Sequence, residues 1–357
     1  MLLIKKKESQ AEPPKKKAKY SDGIGAKKLK LTGVKKIFII GAVAKCQETY
    51  PNVKEMMFNL QLSSLDLTIS ADIKLILTCL GKQGASCTYN CFLCQGKSPW
   101  KEKAELLTVG FLRQKYMEFL NSGADKADAA SYQNVVNSPL LNQDDDVLLI
   151  DIFNFPTLHV HIGIVTKLVD YTEKTVTDAK IEDLDGDKFV RKFLKEEGIK
   201  RAEQRGGKCF EGNQAKMLLE KISSLEKYFI GLPDDVIVNL QKVIKVLKSF
   251  NVVVHSCFGT KLEPGYKEKI ETFCKLYREL PGISFPPKFH LVEQHLVEYL
   301  ERHGDGSQGL GVWSEQGFEA IHHDFKEFNQ CYKVSLDHKD YGDKFLETMI
   351  TYNSHKI

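Results

Sequence analysis

No run of apolar residues in this chain approaches the roughly 20 that a membrane-crossing helix needs, so membrane spans are not expected. The opening decapeptide MLLIKKKESQ carries charges where a secretory leader would hold its apolar stretch. The nine cysteines are odd in number and scattered over 357 residues, which argues against a disulfide framework and for free thiols or metal ligands in a reducing, intracellular compartment. The glycine-rich stretch 304–311 (GDGSQGLG) lacks the Gly-Lys-Ser/Thr of a phosphate-binding loop and is expected to be a flexible connection. A faintly calcium-like run at 183–187 has Lys188 where the loop needs glycine and Leu194 where it needs the bidentate glutamate. No internal repeat is visible, which sets solenoids and propellers aside.

With 42% hydrophobic residues, the chain can bury one large core or two smaller ones. The net charge of +4 conceals an asymmetry: residues 1–36 hold twelve Lys against Glu8, Glu12 and Asp22, leaving the remainder mildly acidic. A basic arm on a near-neutral body suits an anionic partner or an import receptor. The run Pro14-Lys15-Lys16-Lys17-Ala18-Lys19 is similar to a monopartite nuclear localisation signal, and it reads equally well as a solvated linker.

Residues 34–44 (VKKIFIIGAVA) have the β-branched, apolar pattern of a buried strand, residues 50–60 have helical spacing, and residues 65–70 (LDLTIS) predict a second strand ending just before Asp72. Beyond Cys94 the periodicity predicts helices near 108–122, 157–173, 187–198, 212–225, 234–249, 264–279, 288–303 and 314–330. This order predicts an α/β chain, a small mixed sheet followed by a large, mainly helical region packed back on it.

Two features carry candidate chemistry. Cys91-Phe-Leu-Cys94 places two thiols at the spacing of adjacent corners of a zinc tetrahedron, and His290-Leu-Val-Glu-Gln-His295 supplies two imidazoles. Positions i and i+5 lie about 140° apart on an ideal helix, so one His must sit where the helix starts or bends. A redox pair would want a thioredoxin-like context, and two unrelated helix histidines remain the plain alternative. Cys79 and Cys87 are near enough to substitute as ligands, though they read better as small core residues. The second feature is acidic: Asp72 at a strand end, and Glu319 with its rival Glu315 on a helix N-capped by Ser314. His159 and His161 open an amphipathic helix, where one should be buried and hydrogen-bonded.

Taken together, strand-Asp72, Cys91-x-x-Cys94, a long helical stretch, His290-x4-His295 and Ser314-Glu-Gln-Gly-Phe-Glu319 resemble, in that order, the catalytic core of the RAG recombinase large subunit and Transib transposases. Tyr89-Asn-Cys-Phe-Leu-Cys94, Phe210-Glu-Gly-Asn-Gln-Ala-Lys-Met-Leu218 and Gln330-Cys-Tyr-Lys333 are similar to family segments, and the likeness covers about residues 20–350.

The resemblance implies an incomplete RNase H-like mixed sheet with a large, mainly helical zinc-containing insertion. It divides the chain into a basic flexible arm (1–19), an RNase H-like part (20–85), a zinc-tied helical insertion (86–300) and a C-terminal catalytic helix region (301–350). It implies Asp22, Asp72 and Glu319 as the acids of a DDE site for Mg²⁺ or Mn²⁺. Cys91, Cys94, His290 and His295 would hold structural Zn²⁺, and Asn213 and Lys216 would contact the DNA backbone.

Asp22 lacks the preceding strand that the family has, Lys and Pro standing in its place, so an N-terminally truncated, impaired catalyst is expected. The leading expectation is a nuclear, transposase-derived, zinc-structured DNA-binding protein with a weakened DDE site, its partners being DNA and, as an open option, a second copy in a homodimer. The alternatives are an active metal-dependent transposase or nuclease with Asp22 as first acid, and a decayed transposon product.

Overall fold

The computed structural model describes residues 3–6, 47–60, 67–100, 102–182, 184–204, 207–312, 330, 334–335 and 338–354. The expected strand at 34–44 and the expected helix at 314–330 lie outside these residues, as do Asp22, Ser314, Glu315 and Glu319. The chain divides into two compact units, one drawn from both ends (Met1–Ile69 and Glu315–Ile357), the other the continuous segment Ser70–Ser314.

In the first unit the described elements are β1 (Leu3–Lys6), α1 (Tyr50–Asn59), the bulk of β2 (Leu67–Ser70) and α12 (Tyr341–Ser354). β1 and β2 form a two-stranded sheet. Pro51 in the first turn of α1 costs nothing there, because that N–H has no partner within a helix anyway.

The second unit is predominantly helical. It opens with α2 (Ile73–Cys79) and continues through α3 (Val109–Asn121), α4 (Leu149–Ile152), α5 (Thr157–Asp178), α6 (Gly186–Glu196), α7 (Gly212–Lys221), α8 (Asp234–Cys257) and α9 (Tyr266–Arg278). It then runs through α10 (Pro287–His290), a π-helical turn (Leu291–His295) and α11 (Leu296–His303). A hairpin, β3 (Ala202–Gln204) with β4 (Gly207–Cys209), forms the second small sheet.

α5 is the central element, packed against α6, α7, α8 and α10, while α8 pairs with α9. Its buried face, Val160, Ile164, Val165, Leu168, Val169 and Val176, follows the 3.6-residue period that makes a helix bury one side. Burying a Val, Leu or Ile side chain stabilises by about 1.5–3 kcal/mol, so this face is what fixes the helix in place. The hairpin is tied to it by Arg201, whose buried guanidinium bridges Asp170 and Glu173 and lies over the Phe210 ring.

The stretch 304–311, expected to be a flexible connection, is instead pinned. Gly309 N donates to Thr260 O and Gly311 N to Gly259 O, and a Cβ on Gly309 would fall 2.3 Å from Gly259 O. Only glycine permits that approach. Among the described residues, no helix is long and apolar enough to cross a membrane.

Candidate metal centre

Cys91 and Cys94 sit on a tight loop held as a frame by backbone pairing. Leu107 N donates to Leu93 O and Gln95 N to Glu105 O, both at 2.9 Å, with an antiparallel bridge between Cys94 and Leu106. Within the loop Leu93 N points at Cys91 Sγ and Gly96 N at Cys94 Sγ, each at 3.4 Å. Backbone N–H groups aimed at sulfur favour thiolates there. Gly96 leaves room for the ligand, because a Cβ there would lie 3.1 Å from both Cys94 Sγ and Trp100 Cδ1 and would press on each.

The imidazoles arrive from the far end of the unit. Pro286 and Pro287 start α10, and the helix then widens into the π turn Leu291–His295 before resuming as α11. A π turn closes i to i+5, so it brings His290 and His295 onto one face, where an ideal α-helix would splay them. Of the two options that the spacing left open, a helix start or a bend, this turn is the second.

All four ligand atoms lie within 4.8 Å of one another, and all four residues are buried. Cys91 Sγ is 3.5 Å from His295 Nε2, Cys94 Sγ is 3.3 Å from His290 Nε2, and the two Nε2 atoms are 3.2 Å apart. A zinc tetrahedron with Zn–N of about 2.05 Å and Zn–S of about 2.3 Å has N–N edges of about 3.3 Å and N–S edges of about 3.5 Å. The donor set and its spacing therefore fit a metal such as zinc.

The protonation of the pair fits as well. Burial opposes ionisation of Cys91, but hydrogen bonds from Cys94 and the imidazoles, with the charge of His295, hold its thiol well below the usual range. The Cys94 thiol is pushed up by its bond to the Cys91 sulfur and then by burial. Two sulfurs thus share one proton, a conflict that a divalent cation would relieve by taking both as thiolates.

The surroundings orient these ligands. His290 stacks on Trp100, centroids 4.6 Å apart and planes 12° apart, and meets His295 edge-on. Metal-bound histidines usually donate their second ring N–H, yet among the described residues neither Nδ1 has an acceptor, so stacking takes that orienting role for His290. Lys82, also buried, donates from Nζ to Cys91 O at 3.1 Å; burial brings its ammonium down to about 8, against the pull of Cys91, Cys87 and Cys94. Neither Lys82 nor Trp100 was singled out from sequence. A lysine between Gly81 and Gln83 carries no mark of burial, and a tryptophan after Pro99 carries no mark of a stacking partner.

The remaining candidates are placed as follows. Asp72 is half-buried at the end of β2, where one carboxylate oxygen accepts from Leu75 N at 2.7 Å and caps α2. Asn213 and Lys216 are exposed in the first turns of α7, with Lys216 3.9 Å from Glu220. Cys79 is core and Cys87 half-buried, neither belonging to the ligand cluster. His161 is buried beside the Phe250 and Phe258 rings, but the expected hydrogen bond is missing at Nε2, which meets no partner among the described residues. Burial, and then the Lys216 charge, bring its imidazole down to about 4.

A buried polar chain joins three elements near Asp72. Tyr299 Oη donates to Asn154 Oδ1 at 3.0 Å, and Asn154 Nδ2 donates to Ser70 Oγ at 2.6 Å. It links α11, which follows the π turn, to the end of β2. Among the described residues, the Cys/His cluster is the one group of three or more such side chains close enough to hold a metal. No protein-family model matches the chain, and no curated protein matches it.

Proposed function

We propose that the chain is a transposase-derived, zinc-structured DNA-binding protein with a weakened DDE site. Four ligand atoms converge although Cys94 and His290 are 196 residues apart, in the order that the resemblance to RAG and Transib cores demands, and this observation carries the reading. Zn²⁺ held by Cys91, Cys94, His290 and His295 would supply no chemistry of its own. With four protein ligands and no open position, such a site is structural.

On this reading the acids are Asp72, Asp22 and Glu319 or Glu315, set on an RNase H-like sheet and serving Mg²⁺ or Mn²⁺. Asp72 supports it by standing half-buried at a strand end with one carboxylate oxygen fixed by the Leu75 N–H, which holds the side chain in place and leaves the other oxygen for a metal. Asn213 and Lys216, exposed on one helical turn, are suited to phosphate contacts, and the lysine run 15–17 with Lys19 to nuclear import.

The decisive experiment has two arms. Metal analysis of the purified chain is expected to find one zinc per chain, abolished in Cys94→Ser, and no zinc in the wild type overturns the structural part. Nicking of supercoiled DNA with Mn²⁺, compared with Asp72→Ala, tests catalysis. Equal background in both removes the enzyme reading and leaves the binding protein.

A further inference from the structure

The 24-residue helix α8 buries Leu240, Val243, Ile244, Leu247 and Phe250 on one face. The opposite face is exposed along its length and carries Lys242, Lys245 and Lys248 at successive intervals of three. The only acids of α8 are Asp234 and Asp235 in its first turn, about 10 Å of helix before Lys242, and no acidic residue follows until Glu263, so the stripe stays net positive. Elsewhere in the same unit some exposed lysines have carboxylate partners (Lys174 with Asp178, Lys221 with Glu197, Lys267 with Glu301), while Lys195, Lys200, Lys227 and Lys275 have none among the described residues but do not line up along one helix face. No carboxylate among the described residues pairs with the three on α8.

We infer that this face of α8 is a track for the phosphate backbone of duplex DNA, a contact surface separate from Asn213 and Lys216. The inference rests on the DNA-binding reading above and extends it. Steps of three residues rise about 4.5 Å, so the three ammonium groups span about 9 Å of helix and fan over about 120° of its surface. One strand of a duplex presents a phosphate every 3.4 Å or so along the axis, which matches two to three phosphates to three lysines. Lysines act here as point charges and not as the bidentate forks that read guanine, so the track positions DNA without choosing its sequence.

The same face is poorly made for other anionic surfaces. A helix that settles on a membrane keeps an apolar face free for the acyl boundary, whereas the apolar face of α8 is consumed by the core and its exposed side offers only Val238 and Val252. A protein partner would want a buried aromatic or arginine anchor, and the stripe holds none.

The test uses the full chain and a short duplex of arbitrary sequence, with affinity followed as salt is raised. The triple variant Lys242→Gln/Lys245→Gln/Lys248→Gln keeps helix propensity and touches no core residue. It is expected to lower the log–log salt slope by about 2 to 3, at about 0.9 per lost phosphate contact. The corresponding triple Arg variant should retain the slope, and Lys174→Gln/Lys267→Gln, which removes paired lysines, should leave it unchanged. If the wild type binds and the triple Gln variant, shown folded by circular dichroism and zinc content, keeps the full slope, the track is refuted while the DNA-binding reading stands. If the wild type does not bind duplex DNA at all, both fall. Loss of binding to phosphatidylserine vesicles with DNA binding intact would reassign the face to a membrane and overturn the inference.

Discussion

At the scale of single residues, unpaired polar atoms in the interior define where pH and substitution should act. His161 is neutral when folded because its ring is buried near Lys216, and in the unfolded chain it titrates near 6.5. Its folded value is depressed, so the stability it protects is complete above about pH 6.5 and is lost as pH falls toward 4. The total is about 3 kcal/mol. His161→Leu should flatten this part of the stability–pH curve. The difference between variant and wild type in urea unfolding at pH 7 and pH 4.5 checks it, because every other group is common to both proteins. Lys82 presents the opposite case. Its ammonium is held against Cys91 O behind the metal ligands, and Lys82→Met should weaken zinc binding by about 10-fold, as outer-shell losses do. Competition with a chromophoric chelator measures this, and an unchanged affinity would make Lys82 a bystander.

At the scale of elements, the π turn is the device that makes the centre. Such turns arise where a helix accommodates one extra residue, so deleting Gln294 should return Leu291–His295 to an α-helix and leave α11 within about 25° of its present facing. Positions i and i+4 also share a face, and the shortened helix should still bind one zinc with a melting temperature within a few degrees of wild type. Deleting Glu298 instead rotates Tyr299 and Leu300 by about 100° away from their buried positions and should abolish soluble folding. Equal damage from the two deletions would sink this account of the turn. The sequence made helices such as α5, α8 and α9 legible because their apolar spacing is long and regular. It required one of His290 and His295 to sit where the helix starts or bends, without deciding between the two. It did not reveal β3 and β4, because Ala202-Glu-Gln and Gly207-Lys-Cys are three-residue strands too short and too polar to alternate. Asp72 was legible as a strand-end carboxylate, but its capping bond to Leu75 depends on where α2 begins, which spacing alone leaves open.

At the scale of the whole molecule, the metal centre is a cross-link. It ties the Cys91–Cys94 loop to the helix at His290–His295, closing about 200 residues of the unit Ser70–Ser314 into one loop. A link closing so long a segment is worth about 5 kcal/mol in chain entropy alone. For a unit of this size that corresponds to a melting temperature higher by roughly 10–20 °C with metal than without. Removing the ion also returns the two sulfurs to sharing a proton in a dry site, and it frees the imidazole face against which Trp100 stacks. A chelator should therefore lower the melting temperature by that amount and shift the emission of Trp100 to the red, with Trp100→Phe used to subtract the other tryptophan. Zn²⁺ should restore both signals and Mg²⁺ neither, because thiolate and imidazole ligands bind the softer ion. Recovery with Mg²⁺, or an unchanged melting curve after the chelator has removed a measured equivalent of zinc, would mean that the interior of the helical unit is held by its apolar faces alone.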